Sequence, residues 1–168
     1  MIYEELKKKI RRFLSDLNGE NWLPAQPRNR PGDYIEGMVA YLNVIYMHLL
    51  NLSNYYVESC FKDALKFISK IYWEILCNDS IVSQFNYYAI MNLKCDIETL
   101  NDYFKGIDLT YKDFCESLDP IKNIIALFEH KNIDEFIEQN RKVDNFYRIN
   151  ENELILFLSK YKKLKSSK

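Results

Sequence analysis

Glycine and proline are scarce in this sequence, which has four of each among its 168 residues. Three of the prolines lie close together, at Pro24, Pro27 and Pro31, so most of the chain has no helix-breaking residue. Long uninterrupted helices are therefore expected. With so few glycines, a phosphate-binding loop made of backbone amides is also difficult to build, which argues against nucleotide binding of that kind.

An excess of positive charge is also lacking. The chain has 23 Lys and Arg against 24 Asp and Glu, for a net charge of -1. A protein that binds nucleic acid electrostatically usually carries a clear basic excess, so nucleic acid is not an expected partner. Basic residues do cluster locally, from Lys7 to Arg12 and again from Lys160 onward. Solvated helix faces or a frayed tail are the simpler interpretation of both clusters.

No apolar run is long enough to cross a membrane, which takes about 18 residues or more. The first residues do not contain the apolar centre of a signal peptide. The cysteines also lack the short paired spacing of a zinc site or a redox motif. We therefore predict a cytoplasmic protein with free, mostly buried thiols, at Cys60, Cys77, Cys95 and Cys115.

Groups that could perform catalysis are missing as well. There are two histidines, His48 and His130, and neither has a carboxylate, a cysteine or a second histidine at a helical ligand spacing. Carboxylate pairs such as Glu4-Glu5 lie on polar segments, whereas catalytic pairs need a cleft that separates their pKa values. The sequence therefore predicts no enzyme, no metal site and no cofactor.

What the chain does have is apolar and aromatic material, 48% and 15% of its residues. Apolar residues recur at steps of three and four, and no segment alternates with period two, so the prediction is an all-α fold of about seven helices with antiparallel neighbours. The fifth helix has an alternative start at Asp119-Pro120, because proline is tolerated in a first turn. The predicted helices cover 2–18, 34–49, 54–77, 81–105, 110–128, 132–141 and 150–163.

The fourth predicted helix carries a candidate docking surface. With Phe85, Ala89, Leu93 and Ile97 facing inward, four other residues share the opposite side at steps of four, three and four. Exposed aromatic residues and Met are enriched at protein interfaces. The alternative is that another helix covers this surface, which we call the Tyr87 stripe: Tyr87, Met91, Lys94 and Glu98.

Several short motifs occur in an order that is typical of one family. They are Trp22-Leu23-Pro24, Gly32-Asp33-Tyr34-Ile35, Met38-Val39-Ala40-Tyr41-Leu42, Leu93-Lys94-Cys95-Asp96-Ile97, Ile124-Ile125-Ala126-Leu127-Phe128 and Phe146-Tyr147-Arg148-Ile149-Asn150. Over roughly residues 20 to 165 the chain resembles the C-terminal domain of Sec fifteen, a subunit of the exocyst tethering complex. Lys94 stands where that family has Asn.

The resemblance implies an elongated helical bundle of the tethering-complex rod type. It also implies a domain that binds a GTP-loaded Rab GTPase and works with other exocyst subunits at vesicle or plasma-membrane tethering sites. Residues 1–18 would form a leading helix, either part of the domain or a remnant of an upstream region, and residues 19–168 the domain itself, with subdomains of about 19–106 and 107–168.

A second interpretation keeps the tethering role and changes the partner. Here the basic C-terminal end would contact acidic phospholipid or partner subunits through Lys160, Lys162, Lys163 and Lys165. Nucleic-acid binding through Lys7 to Arg12 is a third interpretation, which the near-zero net charge disfavours.

Overall fold

The structure, a computed structural model, describes residues 2–107, 116–129 and 151–162. In those ranges the chain is helical, with a single backbone bridge between Phe85 and Tyr161 and no strand, so the all-α prediction is confirmed. The predicted helix over 132–141 lies outside the described residues. The α-helices are α1 (Ile2–Leu14), α2 (Asp33–Leu49), α3 (Asn54–Cys77), α4 (Tyr87–Gly106), α5 (Asp119–Glu129) and α6 (Glu151–Ser159).

The first three helices pack together. α1 contacts both α2 and α3, and its Leu6, Ile10 and Leu14 are buried because a spacing of four places them on one face. The basic side of α1 stays outside, where Lys7 and Arg11 lie over the ring of Phe67 in α3. The leading helix therefore shares the core of the helices that follow it. A 3-10 turn, Ser15–Gly19, ends it.

The predicted start of α4 at residue 81 is wrong. The helix begins at Tyr87, and the side chain of Asn86 caps it by accepting a hydrogen bond from the Ala89 amide, with N and Oδ1 3.1 Å apart. Val82 and Phe85 are buried all the same, from a non-helical segment. Phe85 lies four residues before Ala89. The helical spacing of buried residues therefore continues in the sequence before the first residue of the helix.

The fifth helix takes its alternative start. A short 3-10 turn, Glu116–Leu118, precedes it, and α5 then begins at Asp119 with Pro120 as its second residue. Proline is tolerated there because the first amides of a helix have no intrahelical acceptor. Residues 110–115 of the longer predicted helix lie outside the described residues. α5 packs on α4 and α3.

Near its C-terminal end the chain returns to the segment before α4. α6 ends at Ser159, earlier than the predicted residue 163, because the next residues pair with Phe85. The Phe85 amide donates to the Lys160 carbonyl at 3.1 Å, and the Lys162 amide donates to the Phe85 carbonyl at 2.7 Å. The rings of Phe85 and Phe157 stack, with centroids 4.5 Å apart, and Phe128 and Tyr161 complete an aromatic cluster.

Buried side chains from all six helices form one apolar cluster, which includes residues on both sides of the predicted subdomain boundary. The division into 19–106 and 107–168 stays a prediction. Within the described ranges, no helix has both the length and the hydropathy needed to cross a bilayer.

Replacing Phe157 by Ala should lower the free energy of unfolding by about 3 to 5 kcal/mol, because a fully buried ring is lost and a cavity remains. The matched control is the neighbouring Leu156→Ala, an exposed position on the same helix, where the expected change is about 0.5 kcal/mol or less. Urea unfolding followed by circular dichroism measures both. Equal effects at the two positions would contradict the placement of α6.

Candidate functional site

A buried carboxylate joins the proline-containing segment to α4. Asp96 is 1% exposed. One of its oxygens accepts from the Gly32 amide at 2.7 Å, and the other accepts from Arg28 Nη2 at 2.8 Å and from the Tyr34 hydroxyl. The Tyr72 hydroxyl of α3 lies 3.2 Å from that of Tyr34. We call these five residues the Asp96 cluster.

Two asparagines of the same region hold the segment by its backbone. The Arg28 amide donates to Asn92 Oδ1 at 2.6 Å. Asn86 Nδ2 donates to the Pro24 carbonyl at 2.9 Å, and the Asn86 amide donates to the Trp22 carbonyl at 3.1 Å. Proline removes backbone donors and helical geometry from this segment, so side chains at the start of α4 and along it supply the hydrogen bonds instead.

Gly32 fits the cluster because it has no side chain. A Cβ at this position would lie 2.7 Å from Arg28 Nη1 and also against the ring of Tyr34. The residue has ordinary extended geometry, with φ -66°, so close approach rather than backbone conformation explains the glycine. It is also the N-cap of α2, one residue before the Asp33 that the sequence pattern indicated.

The cluster contains two neutral hydroxyls, those of Tyr34 and Tyr72, and the ion pair of Arg28 with Asp96; Arg28 Nη1 also lies 3.4 Å from Glu20 Oε1. Burial raises the pKa of Asp96, while the Tyr34 hydroxyl, the Gly32 amide and Arg28 act to lower it. Burial also raises the pKa of Tyr34 and of Tyr72 well above the usual value, so both phenols stay protonated and can donate. The open space beside Arg28 and Asp96 is about 10 Å³, room for one water at most. Asp96 itself therefore faces no substrate-sized space and acts as a structural acceptor, whereas Arg28, Gly32 and Tyr34 also line an open surface cleft of about 310 Å³.

The Tyr87 stripe does not lie opposite the core as predicted, since two of its residues pack against the core and Lys94 reaches α5. Tyr87 and Met91 are half-buried and pack against the apolar core. Lys94 Nζ lies 2.6 Å from Glu129 Oε1 of α5 and 3.8 Å from Glu98 Oε1. The prediction used the spacing of apolar residues alone, which does not show that α5 packs beside α4.

Between α4 and α5, the two charged residues of the stripe, Lys94 and Glu98, border a shallow groove. Its floor is apolar, with Ile97, Ile125 and Ala126, and its sides are charged. The charged residues include Lys94 and Glu98 of α4 and Glu129 of α5, and Glu98 is the most exposed of the three. The structure thus brings the predicted stripe together with residues of α5 that the sequence analysis did not include.

The predicted basic surface at the C-terminal end is wrong at Lys160, which is buried. Its side chain is 4% exposed, and Nζ lies 2.9 Å from the Cys77 carbonyl, 3.2 Å from the Leu76 carbonyl and 2.7 Å from Asp79 Oδ1. A cation at the end of α3 satisfies carbonyls that have no helical partner and complements the helix dipole. Lys160 is thus engaged in the interior and is not available to lipid. Lys162 is exposed, and Lys163 and Lys165 lie outside the described residues.

The residues that the structure describes meet the needs of neither a metal site nor a reactive thiol. No group of three or more His, Cys, Asp or Glu side chains is placed to hold an ion there. Cys60, Cys77 and Cys95 are free thiols, each partly buried. Burial raises the pKa of Cys77 to about 11, which keeps it protonated and unreactive at neutral pH.

A comparison with models of protein families matches residues 1–160 to the family described as Exocyst complex subunit Sec15 C-terminal. This chain belongs to that exocyst family. The match covers nearly the whole chain and confirms the resemblance inferred from the motifs. No curated protein and no solved structure matches the chain. The family is one of non-catalytic subunits that work in vesicle tethering together with other exocyst subunits.

Three of the motifs that carried the resemblance to this exocyst family lie close together in space, whereas Phe146-Tyr147-Arg148-Ile149-Asn150 lies outside the described residues. Trp22-Leu23-Pro24, Gly32-Asp33-Tyr34-Ile35 and Leu93-Lys94-Cys95-Asp96-Ile97 are distant in sequence, yet Asp96 contacts Gly32 and Tyr34 directly, and Asn86 holds Trp22 and Pro24. The motifs themselves do not indicate that their residues touch. One signal was available: Asp96 lies three residues after the buried Leu93 and four before the buried Leu100, a register that faces the core.

Replacing Asp96 by Ala should lower the free energy of unfolding by about 3 to 5 kcal/mol, because Arg28 Nη2 and the buried Gly32 amide would lose their acceptor, although Arg28 Nη1 would keep Glu20. Asp33→Ala is the matched control, since Asp33 is an exposed carboxylate in the same region that pairs with Arg30; the expected cost there is about 1 kcal/mol or less. Denaturant titration of both variants gives the difference, and a small effect of Asp96→Ala would show that the cluster does not hold the segment.

Proposed function

We propose that this exocyst domain binds a Rab-type GTPase in its GTP form through the Tyr87 stripe and the adjoining groove of α5. Family membership supports the exocyst setting, and the half-buried Tyr87 and Met91 beside charged, exposed Glu98 support the surface. An interface of this kind has an apolar centre and a polar rim. The shallow apolar floor between α4 and α5 is the single observation that favours this face.

Selectivity for GTP follows from the partner rather than from this domain. The γ-phosphate orders the switch segments of a small GTPase, and hydrolysis releases them. A rigid helical surface gains binding free energy from a partner surface that is already ordered, because little conformational entropy is then lost on binding. The Asp96 cluster fixes α4 from its inner side, and this supplies the rigidity.

At this position the family has the neutral amide of Asn, whereas this chain has the charged ammonium of Lys94, so the contact with the GTPase would involve a charge here. Its ammonium is shared between Glu129 and Glu98, and all three side chains are at least a third exposed. Surface ion pairs of this kind contribute about 1 kcal/mol or less, so exchanging one for a carboxylate of a partner costs little. We therefore infer that Lys94 contacts an acidic residue of the GTPase.

The lipid interpretation has weaker support. Lys160 is engaged with α3, which removes one of the four lysines assigned to it. The remaining lysines could still attract anionic lipid, and flotation with phosphatidylserine vesicles that falls with salt and is lost in Lys162→Ala/Lys163→Ala/Lys165→Ala would favour this second function.

Tyr87→Ala combined with Lys94→Ala should weaken binding to the GTP-loaded GTPase about tenfold or more, because an aromatic anchor and a charge are removed together. Immobilised Rab proteins loaded with a non-hydrolysable GTP analogue or with GDP, titrated with the domain, measure the effect. Alanine is chosen at Lys94 because a carboxylate there would repel Glu98 and Glu129.

Lys70→Ala is the matched control, since Lys70 and Glu74 form an exposed pair four residues apart on α3, like Lys94 and Glu98 on α4. It should bind like the unmodified domain. Binding that does not distinguish GTP from GDP for any Rab of the same cell would contradict the proposed function. Equal loss in the control would contradict the assigned surface.

A further inference from the structure

The end of α2, the loop that follows it and the start of α3 expose an unusual amount of apolar surface. Met47 is 58% exposed and Tyr55 75% exposed. Burial of such side chains away from water is favourable, so their exposure is unusual. The apolar residues follow one another through the last turns of α2, the connecting loop and the first turn of α3. We call them the hairpin surface: Val44, Met47, Leu50, Leu52, Tyr55 and Tyr56.

Formal charge is absent from this part of the chain. Residues 37–57 contain no Asp, Glu, Lys or Arg, although the chain as a whole is 28% charged. A solvated helix face normally carries charged residues, whereas the centre of an interface is depleted in them and enriched in Tyr and Met. The composition of the hairpin surface is therefore that of an interface centre. A partner that covers it must itself present an uncharged apolar face there, since a charge facing it would be desolvated without a counterion.

The spacing identifies the shape of the partner. Val44 and Met47 of α2 and Leu50, the residue that follows its last turn, lie three residues apart along one side, and Ala40, also exposed, continues the line. From Ala40 to Leu50 this line is about 15 Å long at 1.5 Å per residue, the length of a helix of about three turns. Apolar residues at steps of three and four are what a second helix packs against. The two tyrosines stand at the end of the line, with ring centroids 5.8 Å apart.

We propose that the hairpin surface is the docking site for an amphipathic helix of another exocyst subunit, which lays an uncharged apolar stripe along α2. The choice of partner rests on membership of a family whose members assemble with other exocyst subunits, and on the absence of charge in the surface. The inference is independent of the proposed GTPase contact, which uses α4 and α5.

The test measures binding of the 168-residue chain to an immobilised assembly of the other exocyst subunits, purified without this one, by biolayer interferometry. Met47→Lys and Tyr55→Lys should each raise the Kd about tenfold or more, because each places an unpaired charge in an apolar contact. Ile155→Lys is the matched control: Ile155 is 56% exposed on α6 and should bind as before. All three positions are on the surface, so the variants should keep a Tm within about 2 °C of the original.

Three results would overturn the proposal. The first is absence of binding by the unmodified chain, and the second is binding that Met47→Lys and Tyr55→Lys leave unchanged. The third is a different occupant: sedimentation that shows a dimer which Met47→Lys dissociates, or uptake by phosphatidylcholine vesicles that the same change abolishes. Binding of the variants to the GTP-loaded Rab should be unaffected, so failure here and failure of the proposed function are separate outcomes.

Discussion

The carboxylate of Asp96 is the contact on which the arrangement of this domain depends. Burying an ionised group is costly unless it is paired and hydrogen-bonded, and here an arginine, a backbone amide and a phenol surround it. The arginine and the amide come from a segment rich in proline that has few hydrogen bonds of its own, and the phenol comes from the first turn of α2. The carboxylate thus replaces the regular structure that the segment cannot form, and it fixes the start of α2 against the middle of α4.

This contact gives the two sides of α4 different roles. The inner side holds Asn92 and Asp96 against the proline-containing segment, and the flank beside α5 carries the Tyr87 stripe. Just before the start of α4, Asn86 is hydrogen-bonded to Trp22 of the segment. Its neighbour Phe85 is hydrogen-bonded to Lys160 and Lys162 and stacks on Phe157. A surface formed on a helix that is anchored in this way changes little on binding, which is what recognition of an ordered partner requires. The hairpin surface is built differently, since it depends on α2 and α3 alone.

The sequence predicted the helical architecture well because apolar periodicity reports burial directly. α3 has the predicted ends, and α1 buries the predicted face. The start of α4 was misjudged because Phe85 is buried by aromatic packing while its backbone is extended, and periodicity does not distinguish the two. Lys160 was misjudged for a related reason. A run of lysines resembles a solvated tail until the fold brings one of them to the end of α3.

The Asp96 cluster could not be derived from spacing, since the three groups that donate to Asp96 are more than sixty residues from it in sequence and one of them is a backbone amide. The family motifs contained the participants, and only the fold shows that they touch. The Tyr87 stripe was located on the correct helix, but its relation to α5 depends on helix packing, which side-chain periodicity does not specify. The division into subdomains and the choice of partner stay predictions.

Amide hydrogen exchange at Gly32 tests the central role of Asp96 most directly. If the carboxylate holds the segment, the Gly32 amide should exchange only when the whole domain unfolds, with the same protection as core amides of α3 and α4. The Leu23 amide provides the comparison, because it lies in the same segment and donates to Asn21 Oδ1 in an exposed position; it should exchange through local opening. Equally fast exchange at both amides, measured by NMR, would contradict the account.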